Sequence, residues 1–140
     1  MSNKETIQRF SDELWHKHNY NIIDEVFHDD AIIHNPFNIK QGSLTMRQAA
    51  EKWLESFPDL EITINDLIAE DDKVVARWTA HGTHMGSFFE TNPTHNAVTY
   101  CGVTTFEFKN GKVAEYWALV DMNAILAQLG NFDHVADALE

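Results

Sequence analysis

The 140-residue chain has a single cysteine, Cys101, so no intrachain disulfide can staple it and nothing in its thiol content implies secretion. Cys101 sits in a β-like run and reads as a small buried apolar residue. Basic residues are scarce: 10 Lys and Arg against 22 Asp and Glu give a formal net charge of −12. A surface of that sign repels phosphate backbones and anionic lipid, which argues against nucleic-acid and membrane partners. No apolar run approaches a membrane span, and Met1-Ser2-Asn3-Lys4-Glu5 lacks the apolar segment of a signal peptide. A cytoplasmic protein is the expectation. Repeats, linkers and low-complexity segments are also missing. What is present is 44% hydrophobic and 23% charged residues, the balance of one folded domain spanning 1–140 with a core of its own.

Helices come first. Ile7, Phe10, Leu14 and Trp15 recur at helical spacing and predict a helix over 3–19, followed by a short one over 22–27. Ala31-Ile32-Ile33-His34 reads as a short strand stopped by Asn35-Pro36. A second long helix spans 44–57, where Met46, Ala49, Ala50, Trp53, Leu54 and Phe57 form an apolar stripe behind Ser43 as N-cap and before Pro58 as a stop. From residue 60 the period changes to two. Strands over 60–69 and 73–84 predict one hairpin, and 99–108 with 112–121 a second, the latter closed by Asn110-Gly111, a type I′ turn pair. Residues 85–97 are a loop. A short helix over 123–129 ends at Gly130 as C′, before a tail over 131–140. The fold class is therefore α+β: a cone-shaped, curved antiparallel sheet packed on N-terminal helices and enclosing an apolar pocket.

The last strand, Val113–Asp121, is almost wholly apolar yet ends in a carboxylate. Side chains alternate along a strand, so Glu115, Trp117, Leu119 and Asp121 share one face. If Lys109 pairs with Lys112, opposed residues sum to a constant, Thr104 faces Trp117, and Tyr100 faces Asp121. A phenol beside the carboxylate and an aromatic floor at Trp117 follow, with Gly102 and Thr104 leaving room. A bulge would break this register. Similar arithmetic in the first hairpin sets Asp66 opposite Arg77, a cross-strand ion pair of little energetic worth. Two readings of Asp121 stand: a group that works on a ligand, or an N-cap for the helix beginning at Met122.

Several segments carry a resemblance. Phe57-Pro58-Asp59-Leu60, the run from Asp66 to Trp78, Gly82-Thr83-His84-Met85-Gly86, and Gly111-Lys112-Val113-Ala114-Glu115-Tyr116-Trp117 followed by Asp121 and Gln128-Leu129-Gly130 resemble the SnoaL-like polyketide cyclase family. The resemblance implies a cone-shaped α+β barrel of the nuclear transport factor 2-like superfamily with a deep apolar pocket. It also implies a homodimer or higher homo-oligomer packed through sheet faces. In the family's cyclases an aspartate at the Asp121 motif position acts as acid/base in an intramolecular aldol ring closure, with no metal or cofactor. Two departures stand out: Glu90, where the family often shows glycine, and Thr94-His95, where it shows Thr-Gly.

Aldol closure needs a base for a carbon-bound proton and an acid for the new alkoxide. One carboxylate can serve as both if an apolar site raises its pKa. Asp121 is the candidate catalytic residue, acting on a polyketide-like or other small apolar carbonyl substrate. Trp15, His34, Trp53, Tyr100 and Trp117 are the candidate substrate-binding residues. Two other readings remain open: a non-catalytic small-ligand-binding module, and an epoxide-hydrolase- or ketosteroid-isomerase-like enzyme, for which Arg77 is the candidate arginine. Glu115 lies roughly 20 Å along the strand from Asp121, at about 3.4 Å per residue, too far to form a dyad. No metal site is expected: His81 and His84 point to opposite strand faces, and His16 and His18 diverge on their helix.

Overall fold

A computed structural model describes residues 1–37 and 44–130. Asn3–Ser11 form α1, opened by a capping box in which the Ser2 hydroxyl accepts from the Glu5 amide and the Glu5 carboxylate accepts from the Ser2 amide. The expected single helix over 3–19 does not run on in α-form. Asp12–His16 make one π-turn, closed by the Lys17 amide on the Asp12 carbonyl at 3.3 Å. Then come α2 (Asn21–Val26), β1 (Phe27–His34) and α3 (Met46–Ser56). Thr45 caps α3 in a second capping box with Gln48; Ser43, the expected cap, and the tail over 131–140 lie outside the described residues.

The sheet contains β1, β2 (Glu61–Glu70), β3 (Lys73–Thr83), β4 (Ala97–Lys109) and β5 (Lys112–Val120), in the order β1-β5-β4-β3-β2. It is mixed rather than antiparallel throughout, and it is not closed. β1 runs parallel to β5, because the chain leaves β1 through α3 and re-enters at the opposite edge as β2. β1 also starts four residues earlier than the expected strand over 31–34, taking in Phe27 and the polar run His28-Asp29-Asp30 along the sheet edge. Asn110 and Gly111 both have positive φ, as the type I′ turn between β4 and β5 requires. α4 (Met122–Gln128) follows β5 and ends at Gly130, φ +74.

A bulge decides which face of β5 is inside. Phe108 pairs with Val113 as the turn dictates, but Glu107 pairs with Glu115, so Ala114 is an extra residue. Beyond it the register is shifted by one, and a one-residue shift exchanges the two faces of a strand. Tyr116, Ala118 and Val120 therefore turn toward the helices with Tyr100, Gly102, Thr104 and Phe106, while Glu115, Trp117 and Leu119 turn outward. Thr104 faces Ala118 rather than Trp117, and Tyr100 is not opposite Asp121. In the first hairpin, Asp66 does face Arg77, and their ion pair is 2.6 Å long on an exposed surface. Helices and inward strand residues meet in an aromatic core: the Phe10, Phe27, Phe106 and Tyr116 rings lie 5.2–6.4 Å apart.

Candidate functional site

The cavity lies between the N-terminal helical segment, Trp53 of α3 and the inward face of β2–β5. The sequence builds each wall locally. The π-turn places Leu14 and Trp15 next to each other on the buried side, and Trp15 reaches the cavity. Such turns recur at functional sites because they break helical register at little cost in hydrogen bonds. His16 then anchors the turn: its Nε2 accepts the Ile62 amide of edge strand β2 at 3.0 Å. From the other side the α3 stripe delivers Trp53, stacked on Tyr100 at 5.9 Å and backed by Phe57 and Phe88.

Trp78 lies flat across β4. This is possible only because residue 102 is glycine: a Cβ there would stand 2.4 Å from Trp78 Cζ2 and 2.6 Å from the Leu119 carbonyl oxygen. The room expected beside Trp117 is thus occupied by Trp78. Its Nε1–H donates to Thr104 Oγ1 at 2.9 Å, which satisfies a buried indole donor. Burial raises the pKa of both lining tyrosines, Tyr100 and Tyr116; for Tyr116 the Thr104 hydroxyl opposes part of the rise. Both phenols therefore stay protonated across the physiological range. Among the described residues lining the cavity, none is a carboxylate, imidazole, amine or guanidinium.

The free volume is about 50 Å³, room for one or two waters and well short of the several hundred cubic ångströms a drug-sized ligand fills. A drug-sized ligand therefore needs the lining side chains to move apart.

Three of the six expected site residues meet here: Trp15, Trp53 and Tyr100. The other three lie elsewhere. Asp121 is exposed and N-caps α4, its Oδ1 accepting the Ala124 amide at 3.1 Å. The helix-cap reading of its geometry is the one the fold adopts, and the orientation toward Tyr100 is corrected. Trp117 is on the outer face, stacked on His34 at 5.6 Å with 12° between the planes, and His34 Nε2 lies 2.8 Å from Glu115. All three lie outside the pocket for one reason, the bulge at Ala114, which β1 follows because it pairs with the shifted part of β5. Ser11, Trp78, Thr104 and Tyr116 are lining residues that the expected set omits. The even alternation Tyr116-Ala118-Val120 was the signal for the last of them.

Cys101 is exposed, contrary to the buried residue expected, because it too falls on the outer face. His81 and His84 do diverge: His81 pairs with Glu61 at 3.0 Å on the surface, whereas His84 is fully buried, its Nδ1 accepting the Thr94 amide at 3.1 Å. Burial holds the His84 imidazole below its usual pKa. Glu90 and His95 both have left-handed backbone, φ 66° and 63°. That is the conformation glycine adopts without strain, which accounts for glycine as the alternative at these two positions.

The SnoaL-like polyketide cyclase profile matches residues 5–129. The chain belongs to the SnoaL-like polyketide cyclase family. Among solved structures, AclR from Streptomyces galilaeus, a proposed hydroxylase, is 26% identical over 92% of this chain and 96% of its own, with a TM-score of 0.78. IdmH from Streptomyces antibioticus, a proposed polyketide cyclase, is 25% identical over 92% and 99%, with a TM-score of 0.76. TsrD from Streptomyces laurentii, at 22% identity over 94% and 100% and a TM-score of 0.79, shares the fold. No curated protein matches the sequence. Family membership thus accompanies more than one proposed chemistry, and the pocket of this SnoaL-like protein must be read from its own residues.

Proposed function

We propose that this SnoaL-like protein binds a small, uncharged, largely apolar compound of the polyketide type in the aromatic pocket, without metal or cofactor. The observation that carries this reading is the lining: three tryptophans, two protonated phenols and aliphatic side chains, with no carboxylate, imidazole, amine or guanidinium to meet a charge among the described residues. Desolvating a charged ligand there would go uncompensated, while apolar surface is favoured. Trp15, Trp53 and Trp78 report occupancy by fluorescence. Titration with the neutral 2-acetonaphthone should quench and saturate, whereas the anionic 2-naphthoate should not. Equal binding of both, or binding of neither, defeats the reading.

Ring closure of the bound compound is the second reading, favoured by membership of a cyclase family. Here the geometry makes a demand. Asp121 can act as acid/base only by leaving its cap, so Asp121→Asn, which keeps the cap, should abolish turnover of a polyketide-like substrate while leaving stability unchanged. Turnover unaffected by that change would remove Asp121 from the chemistry. The hydrolase reading has lost its arginine: Arg77 is on the outer face, held by Asp66.

The homo-oligomer expected through sheet faces is likewise proposed, with the outer face of β5 as the contact. Leu119 is 76% exposed and Val103, directly across from it, 36%; Ile32, at 54%, lies farther along the same face, across from Glu115. A second copy is the fitting occupant because the polar groups bordering the patch are already engaged within the chain, Arg77 with Asp66 at 2.6 Å and the His34 ring with Glu115 at 2.8 Å. Molecular mass in solution by light scattering tests it.

A further inference from the structure

The loop between β3 and β4 is fastened by a side chain at its neck. His84 is fully buried, and its Nδ1 accepts the Thr94 amide at 3.1 Å. The Thr94 hydroxyl lies 3.0 Å from the same nitrogen and itself accepts the Asn96 amide at 3.2 Å. A backbone N–H can only donate, so Nδ1 is the unprotonated nitrogen and the ring proton sits on Nε2. Nε2 is sealed from solvent without a hydrogen-bond partner. The Gly86 backbone beside the ring favours a charge there but makes no hydrogen bond to Nε2. An imidazolium in this position would aim one N–H at the Thr94 N–H and bury the other without an acceptor. Neighbouring charges offer no relief. Among the described residues no carboxylate forms an ion pair with His84. His95, on the same loop, opposes a second positive charge. Asp59, between α3 and β2, has both oxygens engaged by the Thr83 amide and hydroxyl at 2.7 Å each. Glu55 of α3 meets Gly86 through its carbonyl and keeps its side chain exposed, and Glu90 lies at the loop tip beyond Phe89. Asn96 and its α4 partner Gln128 are uncharged.

The two arms of the loop are held differently. Met85 and Gly86 donate their amides to the Ser56 carbonyl, and the Ser56 hydroxyl donates to the Ser87 carbonyl, none of which titrates. The Thr94 arm is held by His84. Between them, Phe88 and Thr91 exchange backbone hydrogen bonds at 3.0 and 2.9 Å, and the Phe88 ring packs 5.4 Å from both Trp53 and Phe57. Trp53 in turn lines the cavity. We propose that His84 is an acid-released latch: neutral, it pins the Thr94 arm; protonated, it frees that arm, opens the Phe88–Thr91 turn and loosens the pocket wall at Trp53. Burial holds the closed-state imidazole below the ordinary histidine pKa, so the open form binds the proton more tightly. The latch is therefore fully closed above about pH 6.5, and its hold weakens about tenfold for each pH unit below that, down to the depressed pKa of the closed form. The device does not depend on which ligand the pocket takes, so it stands or falls apart from the small-molecule reading.

Nuclear magnetic resonance on the full chain, without ligand, tests it between about pH 7.5 and pH 5, a window that brackets the ordinary histidine pKa. At the upper end the His84 nitrogen shifts should report a neutral ring with its proton on Nε2. Protection of the Thr94 and Phe88 amides, taken relative to the intrinsic exchange rate at each pH, should be level above about pH 6.5 and fall about tenfold per unit below it. Exchange broadening of the Trp53 indole N–H should appear over the same range, while the Val74 amide of β3 keeps its protection. His84→Asn offers an oxygen for the Thr94 amide and does not titrate, so it should keep Thr94 and Phe88 protected at the acid end. A charged ring or an Nδ1–H tautomer at neutral pH, Thr94 protection that does not change with pH, a Phe88 amide or a Trp53 indole that fails to follow Thr94, or parallel loss at Thr94 and Val74 each overturns the latch. So does a pH response that survives in His84→Asn. All but the last need no variant, so they decide the matter even if His84→Asn fails to fold.

Discussion

The two faces of β5 are made of similar residues and do opposite things. Inward, Tyr116, Ala118 and Val120 line a cavity without charge; outward, Glu115, Trp117 and Leu119 stand in a row with an ion-paired carboxylate, a half-buried indole stacked on His34 and an exposed leucine. Composition does not separate the two rows, since each carries an aromatic and an aliphatic residue. A single extra residue, Ala114, separates them. The lesson is that a bulge can assign function to one half of a strand without changing any side chain that functions.

The bluntest way to break the comparison is to insert one alanine between Glu115 and Tyr116, since deleting Ala114 would leave Glu115 opposite Glu107 and Tyr116 opposite Phe106 as they are. With the inserted residue opposite Phe106, Trp117 and Leu119 turn inward and Tyr116 out, and a face exchange in a central strand should cost more than about 5 kcal/mol, as much as a marginal domain possesses. Loss of the cooperative urea transition is the expected outcome; an insertion variant with wild-type stability would show that the two faces are interchangeable. Next in size is Gly102→Val. Its Cβ meets the Trp78 indole and the Leu119 carbonyl, so overpacking should cost about 3 kcal/mol and shift Trp78 fluorescence. Unchanged emission and stability would mean that the indole is not pinned there.

Thr104→Val is subtler because it preserves shape. It leaves the buried Trp78 N–H without an acceptor, at a cost of about 2 kcal/mol, measurable by denaturant titration. Asp121→Ala removes the α4 cap and should cost about 1 kcal/mol, with Asp121→Asn close to wild type in thermal unfolding. Similar losses from both would point to a role for the charge instead. Smallest of all, Leu119→Lys on the outer face should change the stability of the monomer by no more than about 0.5 kcal/mol while reducing the mass seen by light scattering. A large loss of monomer stability would place Leu119 in a core it does not touch here.

These contrasts also mark how far the sequence could be read. The helices carrying Trp15 and Trp53, both hairpins, the Asn110-Gly111 turn and the Asp66–Arg77 pairing follow from periodicity and turn chemistry, and the structure has them. The run Val113-Ala114-Glu115-Tyr116-Trp117-Ala118-Leu119-Val120 was legible as a strand but not as a strand with a given inside, because apolar residues occupy both parities. Turn geometry fixes register only as far as the first bulge, and Ala114 lies two residues beyond Lys112. His34 was misplaced for a related reason, since its position depends on β1 joining the shifted portion of β5. Asp121 carried signals for a cap and for a reactive group at once, and only the direction of its oxygens could separate them.

The π-turn has a bearing on time as well as shape. Trp15 lies on a five-residue segment held by the Lys17 amide on the Asp12 carbonyl at 3.3 Å, the Asn19 amide on the Glu13 carbonyl at 2.8 Å and the Ile62 amide on His16 Nε2 at 3.0 Å. Rotating that segment outward breaks these local hydrogen bonds and the packing of Leu14, but no strand pairing. If a ligand enters past Trp15, the route is a local opening on the microsecond-to-millisecond scale that leaves the global unfolding barrier untouched. Amide hydrogens at Lys17 and Ile62 should exchange by that route, faster than those of β3 and β4, and a bound ligand should slow them while leaving the sheet as it was.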